Sequence, residues 1–310
     1  MLTDPVVSPS GKRIAFVGTR QDKKADVIDS RLWVLTLADG KAVETAADMS
    51  VRLFGLTWSP DESAVIFITG GTEKFNGLGR IELASNSVSS VEASDCWSPK
   101  YSPDGRFFGF ARKGDSRDPY RLVIENSSTS ERLTVAEGEN HWYWCWCWDR
   151  DGTGVFYSKN KGIFRYDIQT RHSEPLVEAR SGEKMQAEFL TLSPDGTRLG
   201  YFSDKWFYEI DLKTRGVRKL FEADHYFECF QWTPQGIFYL DKDGAERRRQ
   251  ARLMLYDTKA GKSAQISVGP YSYIQPLNDS QVLVRWGNME LHAIDIRTGK
   301  DKLIFSGAGR

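Results

Sequence analysis

The residues of this chain with the means to do chemistry are four histidines, two glutamates set among aromatic side chains, and one tryptophan-rich run. His141, His172, His225 and His292 are far apart in sequence and share no helical or finger spacing, so they predict no metal site. Glu188 and Glu228 occupy equivalent places in successive repeats, with Trp144 and Tyr273 at the matching places in the flanking repeats and His225 and Tyr271 beside them. Two carboxylates among aromatic faces suit a peptide amine or another cation. They would suit acid/base work only if the two carboxyls lay close together.

The run Asn140-His141-Trp142-Tyr143-Trp144-Cys145-Trp146-Cys147-Trp148 alternates. As a strand it puts Trp142, Trp144, Trp146 and Trp148 on one face and Tyr143, Cys145 and Cys147 on the other. Most of this surface suits packing, and its upper end suits ligand contact. The expected ligand- or peptide-binding set is therefore His141, Trp142, Trp144, Glu188, His225, Glu228, Tyr271 and Tyr273, with no catalytic residue, no metal and no cofactor. A separate basic run, Glu246-Arg247-Arg248-Arg249-Gln250-Ala251-Arg252, reads as a solvated loop, with Arg247, Arg248 and Arg249 facing a partner.

Composition narrows the classes. The 310 residues carry 42 basic and 42 acidic side chains, so the net charge is zero and nucleic acid is not an expected partner. Ten tryptophans and a 13% aromatic fraction supply a large core. Cys96, Cys145, Cys147 and Cys229 form no C-x-x-C pair, which fits reduced thiols. The opening residues lack the basic start and apolar stretch of an export signal, and no apolar run is long enough to cross a membrane. The expectation is a cytoplasmic protein with a peptide or protein partner.

The elements that must position these residues come from an internal repeat. A hydrophobic strand, a turn rich in Ser, Pro, Asp and Gly, and a second hydrophobic strand recur seven times. The turns begin at Ser8, Ser59, Ser102, Asp149, Ser193, Thr233 and Asn278. Proline presets the first corner, Asp bonds its own backbone and Gly takes a positive φ. A third strand follows each hairpin, among them Leu32–Leu37, Ile163–Ile168 and Glu290–Ile296, and a short fourth closes the unit, as at Lys302–Phe305. Seven four-stranded units predict an all-β, seven-bladed propeller of antiparallel blades. The blades fall at 1–48, 49–95, 96–138, 139–181, 182–224, 225–267 and 268–310, in a single domain closed without a shared strand. Val7, Trp58, Tyr101, Trp148, Leu192, Trp232 and Leu277, just before the turns, read as wedges that pack blade on blade. The connections Thr19–Arg31, Gly70–Gly79, Lys113–Pro119 and Asp241–Arg252 read as long loops on one face, where a partner or covering domain would meet the ring.

The opening Asp4-Pro5-Val6-Val7-Ser8-Pro9-Ser10-Gly11-Lys12-Arg13-Ile14-Ala15-Phe16, followed by Leu32-Trp33-Val34, resembles the first blade of prolyl-oligopeptidase-family propellers, in particular the acylaminoacyl-peptidase branch. The repeated turn also resembles TolB propeller repeats. Those peptidases carry an α/β-hydrolase domain with a G-x-S-x-G nucleophile elbow. No serine here has glycine both two residues before and two after; Ser263 has Gly261 on one side and Gln265 on the other. The resemblance therefore implies a non-catalytic propeller that gates or filters peptides for a serine peptidase whose hydrolase domain is absent from this sequence. A free-standing TolB-like interaction scaffold and a metal-dependent propeller lactonase or lyase are the other readings.

Overall fold

The computed structural model describes residues 2–22, 27–45, 52–70, 77–113, 120–138, 145–159, 162–178, 187–223, 230–241 and 250–307. Among the described residues, 28 strands form seven antiparallel sheets of four, and each sheet uses four strands consecutive in the chain. The first strands are Leu2–Val7, Arg52–Trp58, Cys96–Tyr101, Trp146–Trp148, Glu188–Leu192, Phe230–Thr233 and Tyr271–Asn278. First strands of neighbouring blades touch, and that of blade 7 touches that of blade 1. The sheets therefore stand as seven blades around an axis, with first strands lining the bore and fourth strands at the rim. No described helix is long and apolar enough to cross a membrane.

The turn residues do what their chemistry dictates. In blade 3 the Ser102 hydroxyl donates to Asp104 at 2.7 Å and accepts the Phe107 N–H at 3.0 Å, while Gly105 sits at φ 72°. Ser59 and Ser193 repeat this, donating to Asp61 and Asp195 at 2.6 Å each. In blade 4 Asp149 replaces the serine, accepting the Thr153 N–H at 2.9 Å and the Arg165 guanidinium at 2.7 Å. Blades 6 and 7 have shorter turns, since their second strands begin at Gly236 and Gln281. An apolar groove of about 360 Å³ opens there, between Trp232, Pro234, Phe238, Pro276, Leu277 and Val282.

The core lies between blades, as flat sheets with two apolar faces require. Trp58 packs against Ala15, Val17 and Leu32 of blade 1. Trp148 packs against Leu122 and Ile124 of blade 3. Both indoles also donate across the interface, Trp58 to the Val6 carbonyl at 3.0 Å and Trp148 to the Lys100 carbonyl at 3.2 Å. Val7, Tyr101, Leu192 and Trp232 likewise face the preceding blade. Leu277 does not: it joins Ile14, Phe16 and Leu35 on the blade 1 side. The pairing of the first two strands of blade 7 is irregular between Pro276 and Asn278, so Pro276 stands opposite Val282 and takes the wedge place. A one-residue slip sends a strand residue to the other face.

The long loop expected at Thr19–Arg31 is mostly strand. Arg13–Asp22 and Val27–Thr36 pair without interruption from Arg13↔Thr36 to Asp22↔Val27. The charged residues read as loop thus extend a hairpin.

At the seam between blades 7 and 1, Val7 N–H donates to the Gln275 side-chain carbonyl at 2.9 Å and Arg285 donates to the Leu2 carbonyl at 3.1 Å. Leu2 N–H bonds Asn288 O at 2.6 Å, and Gly307 N–H bonds Met289 O at 2.8 Å. Both ends of the ring are therefore tied to one hairpin turn. At the rim, Arg132–Glu92 (2.6 Å), Arg171–Glu131 (2.8 Å) and Arg215–Glu174 (3.0 Å) link blades 2 to 5. Such exposed pairs each contribute about 0–1 kcal/mol.

Candidate functional site

Two surfaces face the axis: one mouth of the bore and the bore wall itself. Every first strand starts, and every fourth strand ends, on the same face, because four antiparallel strands reverse direction three times. The connections between second and third strands emerge on that face too. Among the described residues expected to bind a ligand, Glu188, Tyr271 and Tyr273 lie near the starts of first strands, on that face.

Glu188 opens the first strand of blade 5 and stands opposite Phe202. Tyr273 stands opposite Arg285 in blade 7. Phe202 and Arg285 are equivalent, each three residues beyond the partner of a wedge position (Leu199 and Val282). Glu188 and Tyr273 thus sit at one height on the ring. They reach it despite the shifted wedge of blade 7, because blade 5 has a bulge at Phe189 (φ 53°) and blade 7 has none at that point. Gly55 (φ 60°) and Ser98 (φ 52°) lie at the corresponding irregularities of blades 2 and 3.

Tyr271 is 3% exposed and packs between blades 6 and 7. Its hydroxyl lies 2.9 Å from the Ser267 hydroxyl, and its ring meets Trp286 edge-on at 5.5 Å. Burial pushes its phenol above the usual range. His141, Trp142, Trp144, His225, Glu228, Arg247, Arg248 and Arg249 lie outside the described residues. Of the two remaining histidines, His172 is exposed at the rim. His292 is buried, stacked on Trp286 at 4.7 Å, with Asp301 3.0 Å from Nδ1 and Glu290 3.2 Å from Nε2. Its two carboxylates flank opposite ring nitrogens, an arrangement that holds the ring rather than a shared metal ion. Among the described residues no group of three or more His, Cys, Asp or Glu side chains is placed to hold a metal.

The bore wall carries a second set of residues. In blade 4 the Cys145 carbonyl accepts from Ser158 N–H, and Asp149 N–H donates to Gly154 O. Alternation then points the Trp146 carbonyl away from the second strand, into the bore. The Lys100 ammonium donates to that carbonyl at 2.6 Å, with its charge 4.8 Å from the Trp146 ring centroid. Gln275 makes the comparable reach across the seam, to Val7 N–H. The position before the wedge thus forms a tier around the bore: Val6, Thr57, Lys100, Cys147, Thr191, Gln231 and Gln275. All are partly exposed, and Lys100 is the one charged member.

Lys100 keeps a minor part of its surface open to the bore, while protein crowds it on the other sides. Desolvation therefore pulls its ammonium below the usual lysine range. Cys147 is subject to the same crowding, and burial pushes its thiol up to about 12. Cys96 is held at about 12 for the same reason. Sequence reading misses this tier because a lone lysine beside Tyr101 looks like any solvated lysine. The usable signal was positional: Lys100 precedes a wedge, where the other blades place small, neutral or amide side chains.

No protein-family model matches the chain, nor does the sequence of any curated protein. Solved structures do. The acylaminoacyl peptidase of Pyrococcus horikoshii aligns at a TM-score of 0.68 and 15% identity, over 99% of this chain and 53% of that one. The β-propeller domain of the Trilobed protease from Pyrococcus furiosus, described as having an open velcro topology, aligns at 0.66 and 18% identity, over 100% and 99%. TolB from Acinetobacter baumannii aligns at 0.56 and 16% identity, over 81% and 62%. The chain thus spans about half of the peptidase and under two thirds of that TolB. What it shares with all three is a fold: this chain of seven blades is a β-propeller, similar to peptidase propeller domains and to TolB.

Proposed function

We propose that this propeller is the non-catalytic, peptide-gating part of a prolyl-oligopeptidase-like serine peptidase, with a covalently linked hydrolase domain as its partner in the cytoplasm. The observation that carries the reading is the extent of the likeness: nearly the whole chain superposes on about half of an acylaminoacyl peptidase. The joining of both ends of the ring to one turn on the mouth face supports it, because a covering domain would attach there. Glu188 and Tyr273 at that mouth, with the polar tier below, would meet a peptide on its way through.

The test is the mass of the protein from its native source, read with an antibody raised against the ring. The reading expects a band about twice the 35.2 kDa of this chain. A band at that mass itself would overturn the reading in favour of a free-standing interaction scaffold.

A further inference from the structure

We propose that Lys100 anchors a carboxylate inside the bore, so that the ring favours peptides carrying a free C-terminus or an acidic side chain. The proposal deepens the peptide-binding reading and rests on it.

Several arginines at blade junctions have carboxylate partners: Arg13 meets Glu62 at 2.8 Å, Arg132 meets Glu92 at 2.6 Å, and Arg215 meets Glu174 at 3.0 Å, while Arg285 reaches only the Leu2 carbonyl and the Ser272 hydroxyl. Lys100 meets a single backbone carbonyl, and no carboxylate among the described residues lies within ion-pair distance of it. Its charged neighbour in reach would be Cys147, and burial keeps that thiol protonated. The surroundings are richer in donors than in acceptors: the buried Trp146 indole N–H, on the ring the ammonium faces, has no acceptor either.

A crowded cation without a counter-charge is expensive, and the expense falls when an anion arrives. The ammonium has three N–H donors and uses one on Trp146 O, leaving two for a ligand. The tier offers one positive charge, with Thr57, Thr191 and Gln231 as neutral hydrogen-bonding groups. One charge balances a carboxylate and leaves a phosphate dianion uncompensated. If Lys100 served only its own wall, replacing it with a neutral chain of similar length would change the binding of acid and amide peptides alike, which gives the experiment its control.

The probes are three short N-acetylated peptides of one sequence: a free C-terminal acid, its amide, and an amide with one glutamate inside. Binding to this chain is measured by calorimetry for the native protein and for Lys100→Met, whose folding is checked by its thermal transition. The proposal expects the free acid or the glutamate peptide to bind about tenfold or more tighter than the plain amide, and Lys100→Met to erase that difference. Which acidic peptide wins identifies the source of the carboxylate. Equal binding of all three to the native protein would overturn the role of Lys100 and leave the peptide reading standing. Binding of none would overturn both. If Lys100→Met does not fold, the Lys100 side-chain NMR resonances of the native protein decide: they must move with the preferred acid and stay fixed with the plain amide.

Discussion

Gly109 is the place where one added methyl group should be felt across a blade interface. It lies in the second strand of blade 3, and a Cβ built on it would stand 2.6 Å from Cη2 and 3.1 Å from Cζ3 of Trp146. Trp146 is 1% exposed and has no free space to retreat into. The backbone at Gly109 is not left-handed, so alanine fits the chain conformation and the clash is the whole effect on the folded state. Overpacking a core in this way costs about 1–3 kcal/mol, offset by about 0.4–1 kcal/mol from a stiffer unfolded chain. The net loss is then about 1–2 kcal/mol. A chain of 310 residues gains about 0.65 kcal/mol/K of entropy on unfolding, so Tm should fall by roughly 2–3 °C. Scanning calorimetry on Gly109→Ala, Trp146→Phe and the double variant provides the check. The double variant should be more stable than the sum of the two single losses by about 1 kcal/mol, because the smaller ring makes room for the methyl group. An unchanged Tm in Gly109→Ala, or strict additivity, would refute the packing argument.

Three further outcomes follow from geometry already described. Asp61 and Asp195 are held at about 2, chiefly by the Ser59 and Ser193 hydroxyls, against about 3.9 when unfolded; their stabilisation is complete above that unfolded value and disappears as pH falls through about 2. Asp195→Asn should therefore flatten the fall of the urea midpoint between pH 4 and 2, and a profile as steep as that of the native protein would count against the turn network. Cys96 and Cys147, with thiols near 12, should resist alkylation at pH 8 and react once the chain is unfolded in urea, as read by peptide mass spectrometry. Trp58→Phe removes the indole donor to Val6 O and part of the ring under Arg13; a loss of about 1–3 kcal/mol in urea unfolding is expected, and a neutral result would show the cross-blade bond to be idle.

The architecture was legible because each turn states its own geometry locally. Ser102, Asp104 and Gly105 act within four residues of one another, so their meaning survives without tertiary context. The wedge of blade 7 was not legible, since Leu277 and Pro276 differ only in register, and register there follows from an irregular pairing between Pro276 and Asn278 that blade 6, with an equally short turn, does not share. The Thr19–Arg31 segment misled because its charges read as loop, whereas the pairing of Arg13–Asp22 with Val27–Thr36 continues from the apolar parts of the two strands. At the site, the shared height of Glu188 and Tyr273 could be read by counting back from the wedges, but only because a bulge in one blade offsets a shift in the other. Lys100 was legible only as a charge out of place before a wedge, because its partner is a carbonyl 46 residues away and the lack of an acid nearby is not a property of its own segment.

The hairpin turn at Asn288–Met289 holds both the first described strand and the last, and the Gly307 backbone lies against the Leu2 side chain. A host domain joined at either end would therefore meet the ring beside this one turn. Motion of the ring relative to such a host would then pivot on one point, like a lid on a single hinge pin, and the opposite rim of the mouth would swing farthest.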